Sequence, residues 1–487
     1  MIPIANKIEI AKTEKYDLVI VGAGSAGIPC AIEAAQRGLK VLVIEKTNEI
    51  GGTLHLTGGH LSGGGTKHQA EHQITDSPEA HYAEVMGISK QTANPELVKL
   101  ATQEAPKTID WLTDLGFEFA PDSPRLVYGH VPYQIARTQY GKEAGKSILK
   151  ILKPIFEKLV TDKKITVLLE TSLVEIKGDK NKVTGLVIKA NDSDLKETII
   201  AKNYVLTTGG YAANAKMFAA KHQDLPRLIN TARESSQGEG ITLAENIGAK
   251  FWNADKHIAS LGGVEVVANS GKADFWNDWA MVFTTHYRPC REIYVNAMGF
   301  RFMNEASNDP DYRERAVSKQ LGAKFWVIFD ATNLFSANQL LMYKWTVEKF
   351  YAECQKGKCA WYANSIVDLA QKTGLPPNIL QKTIDEYNAM TKEGIDYDYK
   401  RPKESLVPIE NPTYFAVLTY ATSLISFGGL AINEKLQVLN QDNKPIKSFY
   451  AAGEIIGAGA TTGNAFAGGM LLTPALSFGR ILGKTLS

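Results

Sequence analysis

Three glycines, Gly22, Gly24 and Gly27, stand in G-x-G-x-x-G spacing within VGAGSAG, and an acid, Glu45, follows 18 residues after the last of them. This is chemistry for holding a dinucleotide. The first glycine permits a tight turn, the second lets backbone approach a pyrophosphate, and the third lets a helix pack closely on a strand. Free N–H groups at the helix start then face the anion. A carboxylate closing the next strand accepts hydrogen bonds from a ribose diol, and an acid there argues against a 2′-phosphate. Beyond Glu45 runs a Gly-rich arm, GGTLHLTGG (51–59), placed to follow a long cofactor outward from the ribose. Near the other end, YAAGE (450–454) and the pair Gly468–Gly469 ahead of a helix offer backbone N–H groups to the edge of a flavin ring. A helix N-terminus there stabilises an anionic reduced flavin. The arm and the C-terminal half together point to FAD rather than NAD.

The elements that must position these groups are legible. YDLVIVG reads as a strand, 26–38 as a helix and KVLVIE (40–45) as a second strand. Helical patterns follow at 95–115 and 143–161, and 165–190 alternates like antiparallel strands around the polar turn DKNK. NYVLTTGG (203–210) is a strand ending in a small-residue turn, 237–249 a Gly-bounded turn and helix, and 468–487 a final helix with its basic residues late. Both ends of the chain carry Gly-rich turns, whereas 250–425 is richer in aromatics and long polar turns. The expected fold is α/β: a Rossmann-like FAD-binding domain formed by 1–249 and 426–487, with 250–425 inserted as an α+β cap.

Composition excludes several classes. The chain has 487 residues and a net charge of +2, which gives no electrostatic case for nucleic acid or an anionic membrane. No apolar run is long enough to cross a bilayer. The first residues lack an apolar stretch and a small-residue cleavage site, so an unprocessed cytoplasmic protein is expected. Cys30, Cys290, Cys354 and Cys359 do not have zinc-site spacing, so reduced thiols and no metal are expected.

Taken in order along the chain, VGAGSAG, EKTNEIGGTLHLTGG, LTTGGYAAN, SQGEGITLAENIGA, YVNAMGFRFMNE, FGGLAI, FYAAGE and AGGMLLTPALSFGRILG resemble the FAD-dependent succinate dehydrogenase/fumarate reductase flavoprotein superfamily over nearly the whole length. The resemblance implies an FAD domain, a mobile cap and an active site between them. It carries FAD-lining roles onto Gly22, Gly24, Ser25, Ala26, Gly27, Glu45, Lys46, Gly52, Thr53, Thr57, Gly58, Gly59, Leu173, Thr208, Gly209, Glu239, Glu454, Leu471 and Leu472. His55 lies in the arm near which one branch attaches FAD covalently. Its spacing to Gly58–Gly59 differs from that branch, so non-covalent FAD is expected.

The sequence departs from the fumarate reductases where they hold a dicarboxylate. Their His-Pro-Thr segment has no counterpart in 258–267, their proton-delivering Arg is replaced by Asn308 or Asp309, their His by Ile425 or Ser426, and their last Arg by Phe466. A dicarboxylate needs charged, bidentate partners. The end of the chain instead looks like the ketosteroid dehydrogenase branch, which desaturates the bond next to a ketone. By that resemblance Tyr420 binds the ketone and Tyr312 takes the α-proton. Thr422 shares or relays, and Tyr133 or Tyr140 supplies a third phenol. The aromatics Phe275, Trp276, Trp279, Phe283 and Tyr287 suit an apolar 3-ketosteroid or cyclohexanone-type substrate. The acceptor stays open among a quinone, oxygen and an electron-transfer protein. The alternative is a fumarate-reductase-like ene-reductase acting on an unsaturated acid. Arg137, Arg288 and Arg291 keep open a substrate that carries a carboxylate.

Overall fold

Tyr16–Val21 is buried along nearly its whole length and occupies the middle of a six-stranded sheet. The computed structural model describes residues 15–126, 131–223, 228–265, 267, 270–273, 288–335, 340–341 and 345–487. Across the main sheet the order is Gln437–Leu439, Pro445–Ala451, Ala201–Leu206, Tyr16–Val21, Val41–Ile44, Ile165–Leu168. All neighbours are parallel except the Gln437–Leu439 edge. Continuous apolar strands such as VLVI are what a parallel sheet with both faces covered requires.

Helices seal this sheet. Gly27–Gln36 follows the opening strand, and the closing helix Leu472–Thr485 lies against it. Contact is close because two glycines line the seam: a Cβ on Gly479 would fall 2.1 Å from the Ala26 carbonyl oxygen, and one on Gly483 2.4 Å from that of Cys30. Arg480 anchors the same seam through Glu33 at 2.8 Å.

The 165–190 stretch divides where alternation predicted one antiparallel unit. Ile165–Leu168 joins the edge of the main sheet in parallel, through Val41↔Ile165 to Ile44↔Leu168. Only Thr171–Gly178 and Val183–Ala190 pair antiparallel around 179–182, with Lys196–Ile199 as a third strand.

A second sheet centres on Tyr414–Ser423, which pairs antiparallel with Lys324–Asp330, Ser260–Gly263 and Ala360–Ala363. Stacked rings of Phe329 and Phe415, 5.3 Å apart, are part of its core. Arg301 and Arg401 converge on Glu305, and Arg301 also reaches Asp396 at 2.8 Å, tying the loops around this sheet. Its strands run from Ile229–Asn230 to Tyr414–Ser423, so the sheet begins upstream of the boundary expected at 250. The aromatics Phe275, Trp276, Trp279, Phe283 and Tyr287 lie outside the described residues. Among the described residues, no helix is long and apolar enough to cross a membrane, and no His/Cys/Asp/Glu group of three or more could hold a metal. All four cysteines are free and buried.

Candidate active site

Two adjoining cavities, of about 340 and 390 Å³, share Ser25, Thr53, Arg233, Ser236, Gly453 and Glu454 and so form one cleft. The smaller is built at the C-terminal ends of the first two strands. Gly22, Gly24, Ser25, Ala26, Glu45, Lys46, Gly52, Thr53, Leu173, Thr208, Gly209 and Glu239 line it. Glu45 Oε2 accepts from the Ala23 N–H at 2.8 Å, and its Oε1 accepts from the Thr47 N–H and hydroxyl at 2.9 and 2.8 Å. The carboxylate thereby ties the glycine turn to the second strand and keeps lone pairs for a ligand. Lys46 and Glu239 pair at 2.9 Å beside it, partly exposed.

Gly27 and Gly59 are not on the walls. A Cβ on Gly27 would sit 1.9 Å from the Gly22 carbonyl oxygen, and one on Gly59 2.4 Å from the Ala144 carbonyl carbon. Their part is to let backbone segments meet behind the cleft. His55 is also off the walls, with Nε2 2.9 Å from the Ile50 carbonyl.

The larger cavity opens where the closing helix begins. Gly453, Glu454, Gly468, Gly469, Leu471 and Leu472 form one side, and Thr57 and Gly58 come from the arm. Glu454 Oε1 accepts from the Ser426 N–H and hydroxyl at 2.9 and 2.8 Å. Burial raises the Glu454 carboxyl above its ordinary range, and these two bonds oppose that. Ser426 thus points at Glu454, and its neighbour Ile425 faces the cavity. With Ile425 stand Leu424, Leu261, Ile456, Ala458 and Phe466. Ile425, Phe466 and Leu471 pack on a buried cluster of Ile258, Phe427 and Ala458.

Of the residues expected to be catalytic, Tyr420, Tyr312, Tyr133, Tyr140 and Thr422 are not among those that line the two cavities. Tyr312 is 39% exposed, and its hydroxyl accepts from the Asn304 N–H. Asp309 caps the helix Pro310–Ser318, and two residues along a helix turn about 200°. With Tyr312 facing out, Glu314 faces in: it is 5% exposed and lines the larger cavity. Tyr420 is half-buried on the central strand of the second sheet, paired with Gly263 and Lys324, next to the cavity-lining Leu261 strand but not itself on the wall. Thr422 is buried and donates to the Ser260 carbonyl at 3.2 Å. Tyr133 donates to the Gly468 carbonyl at 2.6 Å and so braces the glycine turn from behind. Burial pushes its phenol pKa up. Tyr140 packs edge-on to His60, 5.5 Å between centroids, and under Arg125 at 4.2 Å.

The three arginines kept open for a carboxylate are placed elsewhere. Fully buried Arg137 binds Asp76 through two bonds of 2.9 and 2.8 Å and Glu84 at 2.9 Å. Arg288 forks onto Glu292. Arg291 is not on either cavity wall. Sequence reasoning missed Arg233, His60 and Glu314, all of which line the larger cavity. Arg233 donates to the Gly52 carbonyl and lies 3.9 Å from Glu49. Burial, then Arg125, lowers the His60 imidazole pKa.

The chain matches the FAD binding domain family over residues 17–471. It belongs to that family. It is therefore an FAD-dependent oxidoreductase of the succinate dehydrogenase/fumarate reductase flavoprotein superfamily. It is 27% identical over 480 residues to a fumarate reductase (cytochrome) of Shewanella frigidimarina, covering 97% of this chain and 77% of that one. It is 26% identical over 461 residues to a vinyl phenol reductase of Lactiplantibacillus plantarum, covering 91% and 90%. Among solved structures, an open flavocytochrome c3 fumarate reductase aligns with TM-score 0.75 at 25% identity, over 99% of this chain and 79% of that one. A 3-ketosteroid Δ1-dehydrogenase from Sterolibacterium denitrificans aligns with TM-score 0.74 at 21%, over 97% and 99%. Backbone similarity does not separate the two activities, so the side chains must.

The residues present fit FAD. Buried Thr208 Oγ1 has no hydrogen-bond partner and lines the smaller cavity, as a polar atom awaiting a polar ligand would. A Cβ on Gly24 would meet nothing nearer than the Gly52 Cα at 3.9 Å, so this face is open to a ligand's approach. Glu45→Ala should remove the ribose acceptor and untie the turn. Losing one charge-assisted bond costs about 1.5–3 kcal/mol, so FAD should bind about tenfold to a hundredfold more weakly in a titration of flavin fluorescence. Unchanged affinity would remove Glu45 from the site.

Proposed function

We propose that this flavoprotein interconverts a C–C single and double bond next to the carbonyl of an apolar substrate, as a ketone/enone oxidoreductase. The observation that carries the reading is the wall of the larger cavity, which Ile425 and Phe466 line with carbon; by the family resemblance, Ile425 or Ser426 and Phe466 replace the His and the Arg that hold a dicarboxylate. An unpaired carboxylate buried against that wall would lose hydration worth several kcal/mol. A ring or aliphatic body gains by the same contact.

FAD, when bound, supplies the hydride chemistry. The protein's share is to hold and shield. Gly453, Gly468, Gly469 and Leu471 present backbone along the side where the closing helix starts, Tyr133 holds Gly468 from behind, and Glu454 is fixed by Ser426. Leu424, Ile425 and Phe466 seat the apolar body and exclude water. Ser260 and Thr231 line the same cavity and bring hydroxyl-bearing residues to it.

A second reading, reduction of an unsaturated monoacid, is favoured by Arg233, the guanidinium on this wall among the described residues. Anaerobic stopped-flow measurement separates the two. Photoreduced enzyme should be reoxidised by 2-cyclohexenone or a 3-oxo-4-ene steroid at least tenfold faster than by cinnamate or acrylate, and oxidised enzyme should be bleached by the matching saturated ketone. Preference for the monoacids would replace the ketone reading by the second one. Reoxidation by fumarate alone would overturn both.

A further inference from the structure

We propose that Glu314 is the acid–base catalyst of this site. Its carboxyl gives the proton to the carbon α to the substrate carbonyl on reduction, and its carboxylate removes that proton on desaturation. The inference rests on the carbonyl-activated reading above and names the group that reading lacks once the tyrosines are placed off the cavity.

The geometry singles Glu314 out. It sits on the nine-residue helix Pro310–Ser318, is 5% exposed and lines the larger cavity. Among the described residues nothing hydrogen-bonds or ion-pairs its carboxyl, although charged groups crowd the helix. Asp309 is taken up by the cap, accepting from the Tyr312 N–H at 3.2 Å. Asp311 binds Lys90 at 2.8 Å and Arg315 at 3.0 Å, and Arg315 also donates to the Asn464 carbonyl. The other acid on the wall, Glu454, is occupied by Ser426. Of the acids on the cavity wall among the described residues, Glu314 is the one that is buried and unpartnered.

Its protonation state suits the role. Burial first, and then the charge of Asp311, hold the Glu314 carboxyl well above the ordinary carboxylate range, with Arg313 and Arg315 opposing. Across the cavity it shares the walls with Glu454, His60 and Arg233. A carboxyl whose pKa is raised holds its proton to higher pH than an exposed one, which is the direction a proton donor needs. The balance is complete. On reduction the β-carbon receives a hydride from flavin and the α-carbon receives the Glu314 proton. The C=C bond is lost, two C–H bonds form, and solvent reprotonates the carboxylate. Bound FAD would supply the hydride and be recharged by an external reductant, in the test reduced viologen.

The test uses the holoenzyme with 2-cyclohexenone and a 3-oxo-4-ene steroid, with dithionite-reduced viologen as donor. E314Q should lower kcat at least a hundredfold while FAD content and KM stay within threefold, and E314D should restore at least a tenth of the wild-type rate. The wild-type reduction rate should fall as pH rises through the Glu314 titration, and the desaturation rate should rise. Without substrate, infrared spectra should show the C=O stretch of a protonated carboxylic acid in wild type that is missing in E314Q. Wild type that turns over while E314Q keeps its rate, or spectra that do not differ, would overturn the role of Glu314 alone. A wild-type enzyme inert to every enone and ketone would overturn the substrate reading and this proposal with it.

Discussion

Gly27→Ala should yield a folded but colourless protein. The new Cβ would stand 1.9 Å from the Gly22 carbonyl oxygen, 2.8 Å from Thr207 Oγ1 and 3.1 Å from the Gly22 carbonyl carbon. None of these can step aside cheaply. Gly22 is fixed on both sides, its N–H donating to the Ile44 carbonyl at 2.7 Å and its carbonyl accepting from Thr207 Oγ1 at 2.6 Å. The strain must be relieved by tilting Gly27–Gln36 away from the sheet, and that helix is itself clamped by the closing helix at Gly479 and Gly483. Overpacking costs about 1–3 kcal/mol and occasionally more, and here the obstacle is backbone, which puts the cost at the upper end. The helix start is what faces the pyrophosphate, so the same displacement weakens FAD more than a hundredfold at about 1.4 kcal/mol per decade. The measurement is flavin absorbance per chain after gel filtration, with circular dichroism to establish folding. Gly87→Ala is the matched control: Gly87 lies inside the helix Pro78–Ile88 and a Cβ there meets nothing within 4 Å. That variant should stay yellow and gain up to about 1 kcal/mol of helix stability. A yellow Gly27→Ala protein would mean that the turn does not set FAD affinity.

The contrast between Gly27 and the tyrosines explains what could be read from sequence. A glycine turn between strand and helix is local geometry, set by a few dihedrals at fixed offsets, so VGAGSAG and Glu45 carry their meaning in their spacing. Ile425, Ser426 and Phe466 could be placed in the same way, because they stand within three residues of Gly428–Gly429 or Gly468–Gly469. Tyr312 and Tyr420 depend on which face of a helix or strand meets the cavity, and that is decided by packing. The helix face had a usable signal. Asp309–Pro310 is a cap followed by proline in the first turn, and a helix started there puts Tyr312 and Glu314 on opposite sides. Arg233 carries no such mark, since ARESS belongs to no motif and its wall forms only when the arm at Gly52 comes near. The Ile165–Leu168 strand was misassigned because parallel pairing with Val41–Ile44 lies more than a hundred residues away in sequence and leaves no local trace.

Phe466→Arg should exchange one substrate class for another, with a thermodynamic signature that does not depend on turnover. Phe466 lines the larger cavity and packs on Ile258, Phe427 and Ala458, and Ile425 stands beside it on the same cluster. A guanidinium there would be desolvated among carbon atoms, at a cost of several kcal/mol unless an anion joins it. The variant should therefore have a lower Tm than wild type when free, and fumarate or succinate should restore part of the loss by binding only the folded state. The same acids should leave the wild-type Tm unchanged, because Arg137 and Arg288 are held off the cavity by Asp76, Glu84 and Glu292, and Arg233, which lines it, is engaged by the Gly52 carbonyl. In kinetics, Phe466→Arg should lower kcat/KM for an enone about a hundredfold, the effect of losing roughly 2–3 kcal/mol of apolar contact and adding a buried charge. Differential scanning fluorimetry with and without the acids reads the first effect, and reoxidation of photoreduced enzyme reads the second. Stabilisation of wild type by fumarate would mean that a cation reaches the substrate despite Ile425 and Phe466. Arg233 would then be the residue to replace, and the division from the dicarboxylate enzymes would rest on the proton donor rather than on the wall.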